Sequence, residues 1–382
     1  MKGHIRKRGR NSWEIKYDVD RDGDGRRTVY RSFKGTRREA QAELARLLAQ
    51  VADGGHVDPN QLTVADHVRT RVAHWHAAGV TSAKTHERYL ELVEYQIARF
   101  PVGSRPLQKL SHADIEQWHT ALKTKGRRDG KGGVSSRTVH HAHKLLTKAL
   151  REGVRHGLVL RNVATEERPP KISAKLMQIL APEQVRDLPT QLAGRPIWAP
   201  AVTALFTGAR RGELLALRWS DVDLDRKLIA VRAALEQTVE HGTRFKTPKT
   251  ASGKRTIALP DVVVDALRAH RREQLELRVA LGLGKAPDDA LVFPSPGTER
   301  PWNPDAFSAA WNDVVVELDL GVSFHALRHT HASQLIHAGV PITEIAHRLG
   351  HASPSTTLSI YAHLFERDNS KAAAAINAAL GG

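Results

Sequence analysis

Between Ser323 and Tyr361 the chain places an arginine, Arg328, among His325, His329, His331 and His351, and ends the stretch on a phenol. A guanidinium is a planar fork of donors that matches phosphate oxygens, and imidazoles give or take protons near neutral pH. A phenol holds its proton with a pKa of about 10, so Tyr361 attacks well only where something takes that proton or stabilises the phenolate. The chemistry on offer is therefore to hold a phosphate and attack it. The same residues also fit a plainer arrangement, with Tyr361 a core aromatic and the histidines polar surface, and the rest of the chain has to choose.

Composition narrows the choice. The 382 residues suffice for roughly two or three domains, each with its own core. There are 58 Lys and Arg against 41 Asp and Glu, a formal net charge of +17, which points to a polyanionic partner. Nucleic acid fits better than a membrane, because no apolar run approaches the roughly 18 residues of a spanning helix. Met1 to Arg8 is basic but lacks the apolar segment of a signal peptide, so the bacterial cytoplasm, in association with the nucleoid, is the expected location. The absence of cysteine excludes disulfides, thiolate metal sites and cysteine nucleophiles; any covalent intermediate must use oxygen or nitrogen. Aromatics make up only 5% of the chain, which argues against base-stacking platforms and for a duplex held through its phosphates.

The elements that must position these groups can be read in order. Trp13, Ile15, Tyr17 and Val19 alternate as a half-buried strand, and Arg26 to Phe33 can return as a second. From Glu39 the period changes to helical, with Ala40, Leu44, Leu47, Leu48 and Val51 on one face. Asp53 to Pro59 reads as a linker. Capping signatures at Thr63 with Asp66 and at Ser111 with Asp114 open two helices; Tyr89, Leu92, Val93 and Ile97 mark another, and Val139 to Leu150 a fourth. His140, His141 and His143 have no acidic companions at ligand spacing and read as surface or phosphate-contacting groups. After a second linker at Arg168 to Lys171, helices are expected from Pro182, through Trp198 to Thr207, and from Arg210 through Trp219; strands at Leu228 to Val231 and Arg255 to Pro260 flank a basic turn, Lys246 to Lys254. The remainder is mostly helical, including a good helix former from Lys371 to Leu380.

Three apparent metal or nucleotide signals fail on inspection. Asp18-x-Asp20-x-Asp22-Gly23 opens like a calcium loop, but its closing position is Val29 rather than a glutamate. His325 and His329 lie one helical turn apart without an acidic partner in that segment, which argues against zinc. Gly282-Leu283-Gly284-Lys285 lacks the spacing of a phosphate-binding loop. The expectation is no metal and no cofactor.

The run Thr207-Gly208-Ala209-Arg210-Arg211-Gly212-Glu213-Leu214, a basic turn carrying Lys249, His325-x-x-Arg328, Leu349-Gly350-His351 and Tyr361 follow one another in this order. Together they resemble the catalytic set of the tyrosine recombinases, in particular the phage-type integrases, and the upstream regions are similar to that family's layout. The resemblance implies a multidomain, mainly α fold: a small α+β arm-type DNA-binding domain (1–58), an all-α core-site-binding domain (62–166), and a mixed, mostly helical catalytic domain with a small antiparallel sheet (175–382). It implies that Arg210 and Arg328 clamp the scissile phosphate and that Glu213 orients that region. Lys249 would protonate the departing 5′ oxygen, with Lys246 and Lys254 as alternatives. His325 and His351 would complete the pocket, His325 being the better acceptor for the phenol proton, and Tyr361 would be the nucleophile. One departure is the ten-residue interval from His351 to Tyr361, where many members have nine; the extra residue is expected in the turn Ala352-Ser353-Pro354.

The activity so implied is site-specific integration or excision of a phage or mobile element through a 3′-phosphotyrosine. The partners would be duplex attachment sites, three further copies of the chain in a DNA-bound tetramer, an excisionase and a DNA-bending host factor, with no membrane. The Lys371 to Leu380 segment would dock on a neighbouring copy or on its own domain. A DNA-binding regulator or architectural protein of the same ancestry, without cleavage, is the alternative, and a type IB topoisomerase shares the chemistry without the choice of site.

Overall fold

The structure is a computed structural model describing residues 3–20, 26–52, 60–173, 177–247, 251–364 and 376–380. The chain divides into two compact units, Met1–Ala174 and Lys175–Gly382. The first opens on an antiparallel sheet ordered β1 (Gly3–Gly9), β2 (Ser12–Asp20), β3 (Arg26–Lys34), followed by α1 (Arg37–Ala52). The alternation on β2 buries Ile15 and Tyr17 against Leu47 and Val51 of α1, as the change of period predicts. Strand β1 was not expected. Its residues are largely exposed and basic, so it carries no apolar alternation to read.

A second hydrophobic cluster in this unit belongs to α2 (Val64–Ala77), α3 (Ala83–Leu92), the single turn α4 (Pro101–Ser104), α5 (His112–Lys125) and α6 (Ser136–Arg155). The side chains of Thr63 and Ser111 accept from the amides of Asp66 and Asp114, caps worth about 1 kcal/mol each. His143 corrects the reading of the α6 histidines. It shares the core face with Val139, Ala142 and Leu146, is buried, and lies 3.1 Å from His119 through Nδ1 and Nε2. Burial lowers it to about 4, so it is a neutral core residue rather than a phosphate contact. The expected linker at 53–59 lies outside the described residues.

The second unit begins with α7 (Pro182–Gln191), α8 (Trp198–Thr207) and α9 (Arg211–Leu214). The helix expected from Arg210 through Trp219 lasts only one turn, because the chain folds back and buries Leu214, Leu215, Ala216 and Leu217 together. Strands β4 (Val222–Asp223) and β5 (Leu228–Val231) follow, then β6 (Ala234–Thr238), β7 (Gly242–Lys246) and β8 (Arg255–Ala258). β5 and β8 pair antiparallel with Val231 opposite Arg255, and β6 and β7 form their own hairpin, which the alternation had not signalled.

Further helices follow: α10 (Asp261–Ala280), α11 (Pro304–Glu317), α12 (Phe324–His337), α13 (Ile342–Leu349) and α14 (Pro354–Tyr361). α8 packs against both α10 and α12. Phe324 at the start of α12 meets Phe307 and Trp311 of α11 edge-on, with ring centres 4.8 and 5.4 Å apart. Such contacts add about 0.5–1.5 kcal/mol each beyond the area they bury. α12 is thereby buried on most sides: Ala326, Leu327, Arg328, Thr330, His331 and Ala332 are all covered. His325 and His329, one turn apart, stay on its less covered stripe. Among the described residues, no helix is long and apolar enough to cross a membrane. Of the helix expected from Lys371 to Leu380, residues 371–375 lie outside the described residues.

Candidate active site

Two glycines hold the backbone that frames the site. Gly208 ends α8 at φ 68° and Gly350 ends α13 at φ 67°, both left-handed conformations in which other residues are strained. A Cβ on Gly350 would lie 2.8 Å from Arg255 Nη1 and 3.0 Å from the Ser252 carbonyl oxygen, so the close approach as well as the turn requires glycine. The two turns point their carbonyls inward, and Arg328 donates to both, to Gly208 O at 2.7 Å and Leu349 O at 2.8 Å.

Arg328 is 3% exposed. Its Nη2 also donates to His351 Nε2 at 2.9 Å, and His351 Nδ1 lies 2.7 Å from Thr357 Oγ1 at the start of α14. Because a guanidinium only donates, Nε2 of His351 is an acceptor and the proton of the neutral ring sits on Nδ1, toward Thr357. Burial and the charges of Arg328 and Arg210 lower His351 to about 4. Burial, and then Arg210, lower Arg328 to about 9, still a cation at neutral pH.

Glu213 ties the upstream half of the site together. Arg210 donates to it from Nη1 at 2.8 Å and from its amide at 2.9 Å, while Arg255 of β8 makes a two-pronged contact at 3.1 and 2.8 Å. Burial raises the carboxyl, but the hydrogen bonds and charges of Arg255 and Arg210 outweigh it, and Glu213 is held below the usual carboxylate range. The halves join through backbone: Arg210 Nη2 donates to Gly350 O at 3.2 Å and Arg255 Nε to Arg348 O at 2.7 Å. Arg348 in turn donates to His331 Nε2 at 3.0 Å, to Phe206 O and to Ala258 O, fastening α13 to α8 and β8.

Tyr361 is 1% exposed, and its hydroxyl meets His329 Nδ1 at 2.7 Å. Burial pushes the phenol up to about 12, and burial with the neighbouring His325 and Arg328 brings His329 down to about 4. His325, expected to take the phenol proton, sits on the more exposed side and contacts His329 edge-on at 4.8 Å. Burial of part of its ring, and then Arg328, Arg210 and Arg211, lower its pKa.

Thus Arg210, Glu213, Arg328 and His351 form one connected network, with Tyr361 beside it through His329 and His325 on the open side. Lys249 lies outside the described residues. α14 begins at Pro354, and Tyr361 is its last residue. Sequence reasoning missed Arg255 and gave His329 no role. Arg255 is one arginine among 58 Lys and Arg, and only its partner forty-two residues upstream marks it out. His329 had a signal in its adjacency to Arg328, but the contact with Tyr361 is tertiary.

Residues 178–367 match the phage integrase family. The chain belongs to the tyrosine recombinase family. Its class of activity is accordingly site-specific recombination. A XerC-like tyrosine recombinase of Caldanaerobacter subterraneus is 25% identical over 97% of each chain, and an integrase of Streptomyces ambofaciens is 28% identical over 92% of this recombinase and 89% of that protein. The fold matches the Tn1549 transposon integrase solved with transposon right-end DNA, at a TM-score of 0.69, 20% identity and coverage of 84% of this chain and 100% of that one. It also matches a lambda integrase tetramer bound to a Holliday junction, at a TM-score of 0.54 and 17% identity over 92% and 96% of the two chains.

Proposed function

We propose that this recombinase integrates and excises a mobile element or phage genome by cutting and rejoining DNA through a phosphate ester to Tyr361. The observation that carries this reading is the charge of the pocket. Arg210, Arg255 and Arg328 gather around one carboxylate, Glu213, and Arg328 is buried against carbonyls and an imidazole. A buried cation without a countercharge is costly, and a bound phosphate diester supplies the missing anion. Fixed guanidinium donors stabilise the extra charge that a phosphorane-like transition state spreads over the non-bridging oxygens. Arg210 and Arg328 take that role, with Glu213 and Arg255 holding Arg210 and the Gly350 turn in place. His325 and His351 donate to the phosphate once its charge raises their affinity for protons. Lys249 protonates the 5′ oxygen as it leaves. The ester to Tyr361 conserves the bond energy, so rejoining requires neither nucleotide nor metal.

The arm-type and core-binding domains fall at 1–58 and 62–166, supported by their separate hydrophobic clusters. DNA-bound tetramers are the working assembly, by analogy with the lambda integrase tetramer, with an excisionase and a DNA-bending factor setting direction. The test is recombination in EDTA and without ATP between two plasmids carrying the ends of the element that encodes the chain. Joined products are expected. Arg210→Ala and Arg328→Ala should keep DNA binding and lose joining. Joining that requires ATP or a divalent metal, or arginine variants that recombine normally, would overturn the reading.

A further inference from the structure

The phenol of Tyr361 has one hydrogen-bond partner among the described residues, and it is the imidazole that follows Arg328 in the chain. Tyr361 Oη lies 2.7 Å from His329 Nδ1, with the ring centres 5.8 Å apart and the planes at 61°. The other imidazoles of the site are otherwise engaged. His351 accepts from Arg328 and turns its remaining nitrogen to Thr357; His331 accepts from Arg348; His325 packs its ring against His329 and makes no hydrogen bond to the phenol.

The charge state of His329 follows from its surroundings. His329 is faced by His325 and Arg328 of its own helix, by Tyr361 of α14 and, more distantly, by His351 after α13. Burial and these groups keep the ring neutral, at about 4. In the tautomer whose proton is on Nε2, Nδ1 accepts the bond and the phenol donates it, which is the arrangement a base toward the phenol requires.

We propose that His329, rather than His325, is the base that removes the Tyr361 proton during strand cleavage; this rests on the recombinase reading above. The phenol oxygen forms a bond to phosphorus as its proton passes to His329 Nδ1. The bond from phosphorus to the 5′ oxygen breaks, and that oxygen leaves with the electron pair and receives a proton from the acid assigned to Lys249. Rejoining runs the same steps backward: the 5′ hydroxyl gives up its proton to the lysine, and the imidazolium of His329 returns one to the phenol. The proton count closes with no outside reagent.

At rest the contact keeps the phenol protonated and unreactive, because the cations beside His329 oppose a charged imidazole. A phosphate clamped by Arg210 and Arg328 neutralises those cations and adds a negative charge nearby, which favours the imidazolium. The nucleophile is thus activated only when a scissile phosphate is in place.

The experiment is single-turnover cleavage of a nicked duplex bearing the element's junction sequence, followed from pH 5 to 9 in full-length protein. Wild type should show a rate that falls toward acid, as His329 is protonated, and levels off near neutrality. His329→Ala should cleave about 100- to 10,000-fold more slowly, lose the acid limb, and speed up with rising pH as hydroxide takes over, while DNA affinity is retained. His329→Asn keeps an acceptor for the hydroxyl without a base, preserves the packing if alanine impairs folding, and should be as slow as His329→Ala. His329→Ala with the wild-type rate and profile, or His329→Asn restored to the wild-type rate, would overturn the assignment, the latter leaving His329 an orienting group only. A wild type that forms no adduct on this duplex would overturn the recombinase reading itself.

Discussion

Glu213 carries more of the site's integrity than its spacing from Arg210 suggested, because it also closes on Arg255. Glu213→Gln would leave the 1%-exposed Arg255 side chain without its counterion, at a cost of about 3–5 kcal/mol, measurable as a lower denaturant midpoint with an unchanged slope. Its carboxyl is held below the ordinary value of 4.5, so its stabilising effect is complete above that value and is lost as pH falls through the folded pKa. His331 acts over a higher range. Burial brings it from 6.5 to about 3, so the unfolded chain takes up a proton that the folded chain refuses. Its contribution favours folding fully above 6.5 and weakens by about 1.4 kcal/mol per pH unit as pH falls toward 3. Unfolding curves at pH 7 and 5.5 should show that loss, and His331→Gln, which still accepts from Arg348, should flatten it.

At the scale of elements, the turn after α13 is the piece that brings the halves of the site together, since Arg210, Arg255 and Arg328 all donate to carbonyls between Arg348 and Gly350. Gly350→Ala forces a left-handed φ on alanine and drives its Cβ into Arg255. A loss of at least about 1 kcal/mol in stability is expected, together with a larger loss of cleavage than of DNA binding; equal losses would mean the turn does not position the arginines. Most elements were legible because each announces itself locally: the caps at Thr63 and Ser111, the alternation on β2, the proline opening α7. The β6–β7 hairpin and the shortness of α9 were not, because both are decided by what packs over them. The burial of Tyr361 matches the plainer arrangement, a core aromatic, and helical spacing alone could not choose it, since spacing does not say which face another helix covers.

For the whole molecule, charge and order of motifs carried the reading further than any element did. A net +17 predicts affinity that falls steeply with salt, a tenfold or greater loss between 50 and 200 mM being typical when several phosphates are neutralised; a flat dependence would remove the basic faces as the binding surface. Deleting residues 1–58 should leave cleavage of a core duplex measurable while impairing integration. That Arg210, Glu213, Arg328, His351 and Tyr361 come together was legible from short local patterns in a fixed order. The parts played by Arg255 and His329 were not, because each depends on a partner distant in sequence. The central claim is that Tyr361 joins covalently to DNA. Mass spectrometry of the adduct trapped on a nicked duplex in EDTA should find a nucleotide 3′-phosphate on the peptide carrying Tyr361 and a free 5′ hydroxyl on the released strand. Attachment at any other residue, a 5′-phosphate linkage, or an adduct that persists in Tyr361→Phe would contradict it.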